Sequence, residues 1–231
     1  MAAILGIDTA TEACTTGLWM DGEVRVRHAV TPRGHADRVL ADCQALLAEA
    51  GLSLRDLDAL AVGRGPGSFT GVRIGVGVAQ GLAYAAGLRV IPVSTLAVIA
   101  QAVAEHAPAR WIAVAIDARM EEVYWGVYRR DADGLVRPAG AERVCAPRAV
   151  SIPDEVGACV GAGSGWDTHG VALQARLQGR LREMEPGALP HAAALLRLAA
   201  AARERGEGVS PAEAHPVYLR DRVTHTGGSG G

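Results

Sequence analysis

The chain has 231 residues, 49% of them hydrophobic and 21% charged, which supplies a core and excludes a disordered protein. A formal net charge of −2 and only 4% aromatics exclude a broad basic field and a base-stacking platform. Contact with nucleic acid therefore has to be indirect or carried by a local patch.

The start, Met1–Asp8, has no basic stretch and meets an acid at Asp8, so we expect no signal peptide and a cytoplasmic protein. Ala3–Ile7 reads as a buried strand ending in Asp8, and Cys14–Trp19 as a second. Asp21-Gly22 is a hairpin turn, after which Val24 and Val26 alternate with Arg25 and Arg27 in a third strand. Ala36, Val39, Leu40, Cys43, Leu46, Leu47 and Ala50 recur at helical spacing, and Gly51 supplies the stop. Ser53-Leu-Arg-Asp56 has capping-box form and opens a short helical turn before a strand at Ala59–Val62.

Gly63 to Gly87 is a glycine-rich loop followed by a helix that intrinsic preference would not choose. Gly71, Gly75, Gly77 and Gly81 lie inside it, each costing about 1 kcal/mol against Ala. Gly71, Gly75, Val78, Ala79 and Leu82 share one face, a groove of small residues that admits close approach of another element. The helix is apolar nearly all round, with Arg73, Gln80 and Tyr84 as its polar strip, so it is buried on several sides. Packing on the chain's own sheet and a helix from a second chain both fit that pattern. A membrane span does not, because Arg73 and Gln80 interrupt it. A Walker loop does not either, because no Lys follows the glycines.

Val90–Val93 is the next strand, and Ser94 or Thr95 caps a helix from Leu96 to His106. The order to this point is β-β-β-α-β-α-β-α. After Pro108 the pattern restarts: Trp111–Ile116 is a strand ending in Asp117, and Glu122–Tyr128 alternates as the next. Asp131–Gly134 is a turn, and Leu135–Val144 is loosely strand-like. A weak helix is expected near Arg148–Val156, a strand at Ala158–Gly161, and a helix over His191–Arg205. Thr224–Gly231 is a Gly/Ser tail that we expect to be disordered.

The halves echo each other. Ile7-Asp8-Thr-Ala-Thr-Glu12 and Ile116-Asp117-Ala-Arg-Met-Glu121 each end a strand on Asp, and the strands that follow carry Trp19 and Trp125. This suggests an α/β protein of two related actin-like domains of the RNase H-like type, at 1–107 and 108–223. In that architecture each hairpin cradles phosphates, which needs glycine so that backbone N–H groups can approach. Asp8, Thr9 and Thr11 are the candidate nucleotide residues, in a weak and degenerate site, because the second hairpin lacks glycine and Arg119 and Met120 would crowd the phosphates.

Nothing in the pattern supplies catalysis. His35 precedes a helix, but an H-x-x-x-H metal pair would need a ligand at position 39, which is Val. Ser68 lacks the full nucleophile-elbow pattern and no strand leads straight into it. Cys14, Cys43, Cys145 and Cys159 form no C-x-x-C pair and read as buried free thiols.

Ile7–Ala13, Gly63–Gly75, Ile116–Trp125 and Pro216-Val-Tyr-Leu-Arg220 resemble the signature segments of the TsaB family, also called YeaZ, and the resemblance runs over nearly the whole chain. It implies a non-catalytic, cofactor-free member of the actin-like superfamily that partners the related transferase TsaD, with the ATPase TsaE, in making threonylcarbamoyladenosine beside the tRNA anticodon. It further implies pairing of the helices His35–Ala50 and Phe69–Ala86 with those of TsaD, or with a second copy when the chain is alone, and contact with tRNA only through the complex. The expected interface positions are Val39, Cys43, Phe69, Gly71, Val72, Arg73, Gly75, Val76, Val78, Ala79 and Leu82. A self-standing ATP-dependent kinase and a purely self-associating structural protein are the rival classes.

Overall fold

The computed structural model describes residues 2–31, 33–177 and 179–220; the expected Gly/Ser tail lies outside them. The first sheet has the order β3-β2-β1-β4-β5, formed by β1 (Ala3–Asp8), β2 (Ala13–Met20), β3 (Glu23–Val30), β4 (Ala59–Gly63) and β5 (Arg89–Val93). β1 to β3 form an antiparallel meander, while β4 and β5 run parallel to β1. Ile4, Leu5 and Ile7 of β1 are fully buried, as a central strand covered on both faces requires.

One face of this sheet carries α1 (His35–Ala50) and α2 (Phe69–Ala86). α1 ends at Gly51 in the left-handed conformation, and the capping box forms at Ser53 and Asp56, both as expected.

The second sheet repeats this order. β6 (Trp111–Asp117) and β7 (Val123–Arg130) are antiparallel, β8 (Val136–Pro138) and β9 (Arg143–Cys145) both extend β7, and β10 (Cys159–Ala162) and β11 (Leu181–Glu185) run parallel to β6. α4 (Gly165–Leu177) follows β10 as α2 follows β4, so the second half repeats the strand and helix order of the first. The counterpart of α1 is reduced to a single turn at Pro147–Ala149, not the helix expected near Arg148–Val156. Leu135–Val144 contributes two short strands rather than one.

The remaining helices are exchanged between the halves. α3 (Thr95–Ala104) follows the first sheet yet places Leu96, Ile99, Ala100 and Val103 against Ile112, Val114 and Tyr128 of the second. α5 (Ala192–Glu204) follows the second sheet yet places Leu195, Leu196, Ala199 and Ala202 against Ile4, Ala61 and Ile91 of the first. Gly6 and Gly17 make room for it, since a Cβ there would lie 3.0 Å and 2.8 Å from Leu196. α3 and α5 touch, so the layers run α1/α2, first sheet, α5 with α3, second sheet, α4. The expected division at 107/108 separates the sheets, but the helical cover crosses it.

Candidate functional site

The first hairpin and the glycine-rich loop close on each other. Asp8 ends β1 fully buried; its Oδ1 accepts the Ala10 N–H at 2.8 Å and its Oδ2 accepts the Thr95 hydroxyl at 3.1 Å. Burial pushes the carboxyl up to about 6, against the opposing pull of those two bonds. A Cβ at Gly63 would sit 1.9 Å from Asp8 Oδ2, so only glycine fits there. The Thr9 hydroxyl donates to the Gly71 carbonyl at 2.7 Å, and Thr11 Oγ1 accepts the Ala13 N–H at 3.1 Å. Two of the three candidate nucleotide residues, Asp8 and Thr9, are therefore sealed in the fold, and Thr11 is half-buried with its oxygen engaged.

His35 opens α1 as expected, with Nε2 2.8 Å from the Thr11 carbonyl and Nδ1 without a partner among the described residues. Val39, at the H-x-x-x-H spacing, is buried in the core. The cysteine reading holds at three of four sites. Cys14, Cys43 and Cys159 are buried and Cys145 half-buried, and burial pushes the Cys43 thiol up to about 12, far from a nucleophilic thiolate at neutral pH.

The second hairpin is built differently. Arg119, Met120 and Glu121 have φ of 62°, 55° and 57°, three successive non-glycine residues in the left-handed region. Asp117 Oδ1 accepts the Arg119 N–H at 2.9 Å, and Oδ2 pairs with its guanidinium at 3.0 Å. Arg220 donates to the Ala118 carbonyl at 3.1 Å and to the Glu122 carboxylate. The turn thus offers carbonyls to a cation, the reverse of a phosphate cradle. Arg119 and Met120 are both exposed, and Arg220 is what holds the turn.

The orientation of α2 corrects the expected interface. Val39, Cys43, Val72, Val76 and Ala79 belong to this chain's own core. The Gly71 and Gly75 groove is filled from within: a Cβ at Gly71 would lie 2.1 Å from the Thr9 carbonyl, and one at Gly75 2.6 Å from Thr9 Oγ1. Phe69 and Arg73 are exposed, Val78 and Leu82 half-buried. The open glycines are Gly77 and Gly81, where a Cβ would meet nothing within 4 Å. They lie along one ridge with Arg73, edged by Ile74, Val78 and Leu82, with Tyr84 83% exposed at its far end. Leu40 of α1 is exposed at 42% on the same side of the sheet. Sequence reasoning missed Gly77, Gly81, Tyr84 and Leu40. Arg73 and Tyr84 of the polar strip were the available signal, for both are exposed, while Gln80 is half-buried and donates to the Pro211 and Ala214 carbonyls at 3.0 and 3.1 Å.

Among the described residues no group of three metal-binding side chains forms, and no helix is long and apolar enough to cross a membrane.

Residues 28–160 match the family model described as "TsaD: tRNA N6-adenosine threonylcarbamoyltransferase". The chain is 44% identical to "tRNA threonylcarbamoyladenosine biosynthesis protein TsaB" of Escherichia coli (strain K12), over 95% of each chain. It is 39% identical to the protein so named from Haemophilus influenzae, over 96% of this chain and 94% of the relative. The solved structure "YeaZ from Pseudomonas aeruginosa" superposes with a TM-score of 0.88 at 46% identity, covering 95% of this chain and 100% of that one.

Proposed function

The chain belongs to the TsaB (YeaZ) family, whose members are named for tRNA threonylcarbamoyladenosine biosynthesis, and from that premise we propose that it is a non-catalytic subunit that docks on and activates the TsaD transferase. It works in the cytoplasm with TsaE and meets tRNA through the assembled complex. The observation that carries this reading is the open ridge of α2. Gly77 and Gly81 each cost helix stability and relieve no contact within the chain, which is the signature of a surface shaped for close approach of another helix. The family match supports the choice of partner, because residues 28–160 span both α1 and α2 and so the transferase has matching helices to offer.

Three groups that a chemical role would call on are engaged in the fold, which favours a supporting role. Asp8 is buried, Arg220 holds the second hairpin, and the Cys43 thiol is inert. A subunit of this kind acts by favouring the active arrangement of the transferase, to an extent bounded by its differential affinity for that arrangement.

Sedimentation of the chain mixed with TsaD tests the reading. Gly77→Leu combined with Gly81→Leu has room in the monomer and should leave it folded while weakening the complex by about a hundredfold, the scale of an interface hot spot. Unchanged association by a folded double variant would refute the ridge as the docking face. Loss of self-association alone would favour a homodimer.

A further inference from the structure

The segment 216–220 crosses the seam between the halves, and its contacts reach three separate elements. The Val217 N–H donates to the Arg64 carbonyl at 2.8 Å, joining the segment to the loop before α2. Arg73 Nε donates to the Tyr218 hydroxyl at 2.6 Å, while the Arg73 guanidinium carbon lies 3.6 Å from the Phe69 ring centroid. The Phe69 and Tyr218 rings are 5.5 Å apart. Two residues further on, Arg220 holds the left-handed turn of the second half through the Ala118 carbonyl and the Glu122 carboxylate.

Both aromatics remain open despite this engagement, Phe69 at 56% and Tyr218 at 46% exposure. A segment whose purpose was only to fasten the fold would bury its rings. Here Arg73 stacks on the Phe69 ring and bonds the Tyr218 hydroxyl, so the three side chains hold one another before any partner arrives and less side-chain freedom is lost on docking. Aromatic and arginine side chains in fixed positions are the composition of interface anchors. Arg73 also lies on the same ridge, one turn before Gly77 and two before Gly81, which makes the cluster continuous with the open face of α2.

We propose that Phe69, Arg73 and Tyr218 form one preorganised anchor of the partner-binding surface, and that the segment 216–220 thereby brings the second half of the molecule into that surface. The proposal rests on the reading of α2 as the face that meets TsaD. Tyr218 and Arg73 act as positioning residues for Phe69, the ring that the partner covers.

The test is a double-mutant cycle on the affinity for TsaD, measured by titration calorimetry with a thermal melt of each variant. Phe69→Ala and Tyr218→Ala should each weaken binding about tenfold, and the double variant should be little weaker than either single one. Tyr218→Phe keeps the ring but loses the bond to Arg73, and should fall between wild type and Tyr218→Ala. A mere fastener would lower the melting temperature and leave affinity unchanged, and that outcome overturns the proposal. So do two losses that multiply independently. If Tyr218→Ala fails to fold, Tyr218→Phe and Arg73→Gln against Phe69→Ala complete the same cycle. Wild-type affinity in the Gly77→Leu, Gly81→Leu double variant, which leaves the segment intact, would instead bring down the underlying reading of α2.

Discussion

At the scale of single residues, Asp8 is an acid enclosed by the fold, between the Ala10 N–H, the Thr95 hydroxyl and Gly63. Its folded carboxyl titrates near 6, against 3.8 when unperturbed, because burial disfavours the charge. Above pH 6 it is ionised in both states and the buried charge opposes folding. As pH falls from 6 towards 4 the folded chain takes up the proton and the penalty disappears. At about 1.4 kcal/mol per pH unit, the penalty is at most about 3 kcal/mol. Asp8→Asn should therefore stabilise the protein at pH 8 by up to that amount and hardly at all at pH 4. Urea unfolding at the two pH values checks this, and a gain independent of pH would contradict it. The acid's position at a strand end was legible in the sequence. Its sealing was not, because Gly63 and Thr95 reach it from distant parts of the chain.

At the scale of the element, α2 carries two glycine ridges with opposite roles. Gly71 and Gly75 admit the first hairpin, while Gly77 and Gly81 admit nothing from this chain. Gly71→Ala should accordingly destabilise by roughly 2 kcal/mol or more, since its Cβ would overlap the Thr9 carbonyl. Gly77→Ala should stabilise by about 1 kcal/mol through helix propensity. Opposite shifts in thermal unfolding are expected, and a loss at both positions would mean that α2 is turned otherwise. The same scale shows where pattern reading failed. α4 lacks clear periodicity because His169 breaks it with non-helical φ and ψ of −124° and 17°, leaving Trp166, Leu173 and Leu177 as its buried side chains. β11 reads Leu-Arg-Glu-Met-Glu and is an edge strand with little buried surface, so it looks like a charged loop. The helices α1 and α2 and the strands β1, β2 and β4 were legible because their burial is one-sided or nearly complete, while β3, which has no buried residue, was legible from the Asp21-Gly22 turn before it.

At the scale of the whole molecule, the exchange of α3 and α5 joins the two halves into one unit. Removing residues 108–231 would strip α5 from Ile4, Ala61 and Ile91 and leave Leu96, Ile99 and Val103 of α3 without the second sheet. The fragment 1–107 should therefore lack a fixed core despite containing a complete five-stranded sheet, and should bind a hydrophobic dye with weak near-ultraviolet dichroism. A cooperative melt of that fragment would contradict the exchanged cover. Sequence reasoning found the duplication from two Asp-ended strands but could not foresee which sheet each helix covers, because α3 packs forward onto the sheet that follows it while α5 packs back onto Ile4 at the other end of the chain.

Docking of this chain on the transferase is tested most directly by threonylcarbamoyl transfer to tRNA in a reaction reconstituted from TsaD, TsaE, threonylcarbamoyl-adenylate and this chain. Transfer should depend on the chain, fall with Gly77→Leu and Gly81→Leu in proportion to lost complex, and survive His35→Ala. Arrest by His35→Ala with the complex still assembled would place a catalytic group in this protein and contradict the account.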